Sequence, residues 1–157
     1  IDRSRGLGDV YKRQYEKWTA YGQSKTAQAL FAVGVNTRLK NRGIEAFGVH
    51  PGGIFTPLQR HLPNEEMAAL GWTDETGKPS ERAAALFKTP AQGATTSLWC
   101  ATSPKLAGKG GVYCEDCNIA ALVADDDAGM AGVRSWAVDA DEAHKLWDAT
   151  ESLLSEA

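Results

Sequence analysis

The chain has 157 residues, 43% of them hydrophobic and 24% charged, with a formal net charge of -3, which suits one domain with a real core and is short for two. The charge balance excludes a basic field for nucleic acid and a polybasic membrane patch, and no apolar run approaches the roughly 18 residues that a membrane-spanning helix needs. The start also lacks the apolar stretch of a secretory signal, so the expected setting is cytoplasmic.

Residues 1–14, with Gly6-Leu7-Gly8 among them, show neither helical nor strand periodicity and begin without Met. They read as a non-native leader joined to a genuine coding segment. From about 19 to 42 the apolar positions Tyr21, Leu30, Phe31, Val35 and Leu39 recur at helical spacing, with Ala27 and Gly34 as small residues on the same side. Thr19 is the expected N-cap and Gly43 the expected stop. Within this helix Tyr21 and Lys25 lie about 40° apart around the axis and about 6 Å along it, so they share one face. A nearby ammonium favours the ionised form of a phenol, which suits proton transfer. On spacing alone, the pair equally describes a packed Tyr and a Lys reaching for solvent.

After the single Gly43, residues 44–50 read as a short apolar strand, so helix and strand form the second half of a βαβ crossover and imply a parallel sheet. His50-Pro51-Gly52-Gly53-Ile54-Phe55-Thr56-Pro57 then breaks regular structure at the end of that strand, the edge at which open α/β sheets bind ligands. His50 there reads as locally packed. Residues 58–89 are punctuated by Pro and Gly, with one short helix expected at about 63–70; a connection of this length is usually a functional lid or disordered. Thr89-Pro90 opens a helix to about Ala101 that carries Ala94, Leu98 and Ala101 on one side. Residues 110–114 read as a strand. A last helix spans about 139–154, its stripe made by Ala143, Leu146, Trp147 and Leu153 or Leu154.

The three cysteines, Cys100, Cys114 and Cys117, are odd in number, which argues against a disulfide framework. Cys114 and Cys117 have metal-knuckle spacing, yet their surroundings read as a strand passing into a loop, and no metal site is expected. Asp125-Asp126-Asp127 reads as solvated loop charge, and the five Trp residues as core and lid packing.

The run Tyr21-Gly22-Gln23-Ser24-Lys25, a strand one Gly after its helix, and His50-Pro51-Gly52-Gly53-Ile54-Phe55-Thr56-Pro57-Leu58 together resemble the short-chain dehydrogenase/reductase family. The retinol dehydrogenase and protochlorophyllide reductase-like branch is the nearest in pattern, and Ala143-His144-Lys145-Leu146-Trp147-Asp148 looks similar to it too. The resemblance spans roughly residues 15–157. It implies an α/β fold with a Rossmann-like doubly wound parallel sheet. It also implies hydride transfer between NAD or NADP, with a tilt toward NADP, and an apolar alcohol or carbonyl, in a monomer or homodimer. By the same resemblance Tyr21 is the general acid/base and Lys25 holds the nicotinamide ribose and assists Tyr21, so both touch the cofactor. Pro51, Gly52 and Gly53 let backbone approach the nicotinamide, and Ile54 and Thr56 bond its carboxamide. Leu58, Leu62, Met67, Leu70 and Trp72 either shape an apolar pocket or pack the lid onto the body.

Departures from the pattern are equally specific. No G-x-x-x-G-x-G occurs, Gly8 stands where the catalytic Ser is expected about 13 residues before Tyr21, and Gln28 stands where relatives often carry Asn. The chain therefore reads as the C-terminal half of a single oxidoreductase domain, truncated at the N-terminus and, as given, inactive. An inactive remnant is one alternative reading and a sugar-nucleotide epimerase-like member of the same fold another.

Overall fold

A computed structural model describes residues 15–156, so the expected leader at 1–14 lies outside the described residues. The chain is α/β and divides into two compact units, one built from residues up to 48, 108–112 and 121 onward, the other from 49–107 and 113–120.

In the first unit, helix α1 spans Lys17–Leu39 and tightens into a 3-10 turn at Lys40–Arg42. Gly43 ends it at φ 74, as expected of a glycine that must turn left-handed. The cap, however, is Glu16 and not Thr19: its carboxylate accepts from Trp18 N at 3.0 Å and Thr19 N at 2.6 Å. Those bonds hold the Glu16 carboxyl below the usual range. A long acidic side chain is not the short cap that sequence patterns favour, yet it serves the same orphan amides.

The buried face of α1 also differs from the expected stripe. Ala29, Leu30, Ala32, Val33 and Gly34 are buried, whereas Phe31 is 57% exposed and Tyr21 49% exposed. The reason is close helix packing. Helix α5, Ala140–Ser155, lies against the small residues of α1, and a Cβ on Gly34 would stand 3.2 Å from Trp147 Cε3. Leu30, Val33 and Ala143 form the core cluster, with Val138 and Leu146 packed on it. Burying Leu30 and Val33 contributes roughly 1.5–3 kcal/mol each. Phe31 stacks on Trp147 at 5.7 Å and 4°, and the Arg38 guanidinium lies 4.3 Å from the Trp147 ring. Asp139 caps α5 through Asp141 N and Glu142 N. Leu153 and Leu154, expected in the buried stripe, are exposed.

In the second unit, β1 (Gly48–His50, whose first residue belongs to the first unit), β2 (Tyr113–Glu115) and β3 (Asn118–Ile119) form a sheet in the order β1-β2-β3. The strand expected at 44–50 is thus shorter. Ala46 O still accepts from Gly111 N at 2.7 Å, but without regular laddering. Strand β2 starts later than the expected 110–114, since Gly108 and Gly111 adopt positive φ and hold that stretch in turns. Strands β2 and β3 pair antiparallel across a two-residue turn in which Asp116 (φ 47) and Cys117 (φ 56) are both left-handed, the geometry of a tight hairpin. Cys114 is consequently buried on a strand, which pushes its thiol up to about 12, and Cys117 is exposed in the turn. Back in the first unit, β4 (Leu122–Val123) and β5 (Val133–Arg134) pair in parallel.

The expected lid carries more helix than its sequence suggests: a 3-10 turn at Pro57–His61, α2 at Asn64–Ala69 and α3 at Glu81–Leu86. Helix α4, Pro90–Thr102, begins as expected at Thr89. Its buried residues are Gly93 and Thr96, not Ala94, Leu98 and Ala101; Leu98 is 62% exposed. Here small size wins over hydrophobicity, because Gly93 admits the Ile54 side chain and Thr96 Oγ1 accepts from Cys117 N at 3.2 Å.

Candidate active site

The residues singled out in the sequence fall into two groups, one in each unit. In the first, the N-terminal turns of α1 hold Tyr21 and Lys25 at four-residue spacing, and the Lys25 ammonium sits 5.2 Å from the Tyr21 ring centroid. Trp18 meets Tyr21 edge to face at 6.2 Å and 84°, so the phenol stands between an indole edge and a cation. Lys25 Nζ also donates to Gln28 Oε1 at 3.3 Å. Spacing and chemistry therefore coincide: a phenol and an ammonium share one face, both open to solvent. A cavity of about 450 Å³ on this unit is lined by Gly22, Thr26, Leu30, Trp136 and Leu146, among others. Helical geometry sets Gly22, Thr26 and Leu30 well around the axis from Tyr21 and Lys25, and neither of the pair lines the cavity.

In the second unit the Pro51–Thr56 loop leaves β1 and is held by three neighbours. Gly52 is left-handed at φ 91, and a Cβ there would meet Lys88 Cδ at 2.9 Å and Nζ at 3.0 Å. A Cβ on Gly53 would meet the Phe87 ring at 2.9 Å, and one on Gly93 would meet Ile54 Cδ1 at 2.1 Å. Glycine is required at these positions for close approach. Lys88 N donates to Gly53 O at 2.8 Å, and Ile54 and Lys88 form a parallel bridge. The Lys88 ammonium bonds Asp116 in the hairpin turn, and this bond and charge hold the Asp116 carboxyl below its usual range.

Ile54 and Thr56 are joined through Gln59. Its amide nitrogen donates to Ile54 O at 2.8 Å, and its amide oxygen accepts from Thr56 N at 2.8 Å. Thr56 and Gln59 form a capping box for the 3-10 turn, whose signature Thr56-x-x-Gln59 is present in the sequence. Of the lid residues, Leu58 is 65% exposed and Leu70 39% exposed, while Leu62, Met67 and Trp72 are half-buried. Trp72 packs edge to face on Phe87 at 5.9 Å, and Phe87 lies 4.7 Å from Phe55. Phe87, Lys88 and Asp116 had no motif to mark them; only the folded chain brings them to the loop.

No family model matches the chain. It is 43% identical over 144 residues to a "Probable oxidoreductase" of Streptomyces lividans, across 92% of this chain and 48% of that protein. To the short-chain dehydrogenase/reductase prx1 of Penicillium roqueforti it is 37% identical, across 90% of this chain and 40% of that protein. To human retinol dehydrogenase 14 it is 30% identical, across 91% of this chain and 37% of that protein. The chain spans about half the length, or less, of these relatives. Over about nine-tenths of its own residues it is a member of the lineage that contains the short-chain dehydrogenase/reductases.

Proposed function

We propose that the protein is an NAD(P)-dependent oxidoreductase that moves a hydride between a nicotinamide cofactor and an apolar alcohol or carbonyl, in the cytoplasm. The carrying observation is the Lys25 ammonium 5.2 Å from the Tyr21 ring on one face of α1; the similarity to oxidoreductases supports the same reading. In this reading the described residues are the C-terminal half of a Rossmann-like doubly wound sheet, and residues 58–89 cover the substrate.

The donor set around Pro51–Thr56 suits a nicotinamide. Ile54 O and Thr56 N already bind a primary carboxamide, that of Gln59. When bound, the cofactor supplies or takes the hydride. Tyr21 Oη gives a proton to the substrate oxygen during reduction and takes it back during oxidation. Lys25 stands beside the phenol and binds the cofactor ribose. Its bond to Gln28 keeps the ammonium beside the ring between turnovers. Ile54 and Thr56 orient the carboxamide, and Leu58, Leu62, Met67, Leu70 and Trp72 shape the apolar side of the substrate site.

A second reading applies to the 157 residues taken alone, which contain no G-x-x-x-G-x-G to hold a pyrophosphate. On that ground this chain by itself does not turn over substrate. Tyr21→Phe in the intact natural protein tests the main reading: turnover falls by at least about a hundredfold while cofactor affinity stays nearly unchanged. Retained turnover refutes the role of Tyr21.

A further inference from the structure

Gln59 carries the same functional group as nicotinamide, a primary carboxamide, and it uses one donor and one acceptor of that group on Ile54 and Thr56. Its nitrogen donates to Ile54 O and its oxygen accepts from Thr56 N, both at 2.8 Å. The cap alone requires only the bond to Thr56. Thr89 and Gln92, with the same Thr-Pro-x-Gln spelling, make that bond at 2.9 Å from Thr89 N to Gln92 Oε1 at the start of α4. In Gln59 the second bond reaches five residues back, past the cap, to the loop that leaves β1.

We propose that Gln59 is an internal surrogate for the cofactor's carboxamide, holding Ile54 and Thr56 in their bonded geometry and giving them up when the nicotinamide enters. The inference rests on the dehydrogenase reading above. Thr56 N carries a single hydrogen and cannot serve both carboxamides. Cofactor entry therefore requires the Gln59 side chain to leave, and Gln59 is only half-buried. The surrogate keeps two polar groups satisfied in the meantime, which an open loop would leave to water. Its consequence is a lowered apparent affinity, because only the fraction of molecules with Gln59 displaced is competent to bind. Two neutral hydrogen bonds of ordinary strength correspond to a fraction of about one in six to one in a hundred and fifty.

The competition concerns the nicotinamide end alone, so the test compares a whole dinucleotide with a truncated one. In the intact natural protein, dissociation constants are measured by titration calorimetry for whichever of NADH or NADPH binds more tightly. They are measured also for ADP-ribose, or its 2′-phosphate, which has no carboxamide. Gln59→Ala is expected to tighten the dinucleotide about six- to 150-fold and leave the truncated ligand unchanged. Gln59→Glu keeps the cap on Thr56 and with it the fold of the turn, but cannot donate to Ile54 O; it is expected to give a smaller gain. Equal affinities for both ligands in all three proteins, or a parallel loss for both ligands in Gln59→Ala, overturn the surrogate role while leaving the dehydrogenase reading intact. Failure of the unsubstituted protein to bind any dinucleotide overturns the dehydrogenase reading, and the surrogate with it.

Discussion

The ammonium of Lys88 is bonded to the carboxylate of Asp116 while its alkyl stem covers Gly52, so one side chain ties the Pro51–Thr56 loop to the β2–β3 turn. The Asp116 side chain is 75% exposed, and such pairs contribute about 0.2–1 kcal/mol. Asp116→Asn isolates the charge, because Asn tolerates the left-handed turn as well as Asp does. It is expected to cost under about 1 kcal/mol at neutral pH. Since Lys88 holds the Asp116 carboxyl below its usual range, the contribution is fully present above about pH 4 and fades as acid titrates the folded-state carboxylate below that. Urea midpoints of both proteins at pH 7 and pH 3 check this; a difference that grows in acid contradicts it.

Two glycines in helices have opposite expected responses to alanine. At Gly22 in α1 a Cβ meets nothing within 4 Å, so Gly22→Ala gains helix propensity and stabilises by about 0.5–1 kcal/mol. At Gly93 in α4 the same gain opposes a contact of 2.1 Å with Ile54 Cδ1. Overpacking of this kind costs about 1–3 kcal/mol, so clash exceeds propensity and Gly93→Ala destabilises. Thermal midpoints of the two variants should move in opposite directions.

Trp147 joins α1 to α5 by two contacts, the stack with Phe31 and the Arg38 guanidinium on its ring, and its Nε1 donates to Glu151 of its own helix at 2.8 Å. Trp147→Ala removes all three and leaves a gap against Gly34. For a half-buried indole a loss of roughly 2–3 kcal/mol is expected, below the full range for a buried Trp. Trp147→Phe keeps the stack with Phe31 and loses the bond to Glu151, so its cost is smaller. Urea denaturation of the three proteins gives the order directly, and equal midpoints for Trp147→Ala and the parent contradict the account.

Helix ends were more legible than helix faces, although the start of α1 lies at Glu16 and not at Thr19. Gly43, Thr89-Pro90 and Asp139 mark boundaries because they act on local backbone alone. Which face is buried depends on what the helix meets. In α4 the apolar stripe and the small stripe both satisfy helical periodicity, and the approach of Ile54 and Cys117 selects Gly93 and Thr96. The Asp116-Cys117 turn was hidden because left-handed pairs usually announce themselves with Asn-Gly. Tyr21 and Lys25 were readable, since their relation is set within two turns of one helix. Gln59 was half readable: its bond to Thr56 follows from a four-residue signature, while its bond to Ile54 depends on how the loop leaves β1.

The 157-residue chain alone is expected to bind NADH or NADPH more weakly than the low-micromolar range. On the proposed reading Gln59 competes for two contacts to the nicotinamide end, and the sequence holds no Gly-rich turn for the pyrophosphate. A fluorescence titration of the reduced nicotinamide checks it, and low-micromolar binding overturns it.

Tyr21 and Lys25 should separate in kinetics, because the proposal gives them different partners. Tyr21 acts on the substrate proton, so Tyr21→Phe lowers kcat with little change in the KM for cofactor. Lys25 acts on both the phenol and the ribose, so Lys25→Met lowers kcat and raises the cofactor KM together. Gln28 touches neither substrate nor cofactor in this account and only steadies the ammonium at 3.3 Å. Gln28→Leu is therefore expected to change kcat by less than about tenfold, the scale of one neutral hydrogen bond. Steady-state kinetics of the three variants in the intact natural protein distinguish the roles, and a Lys25→Met protein with an unaltered cofactor KM removes Lys25 from the ribose.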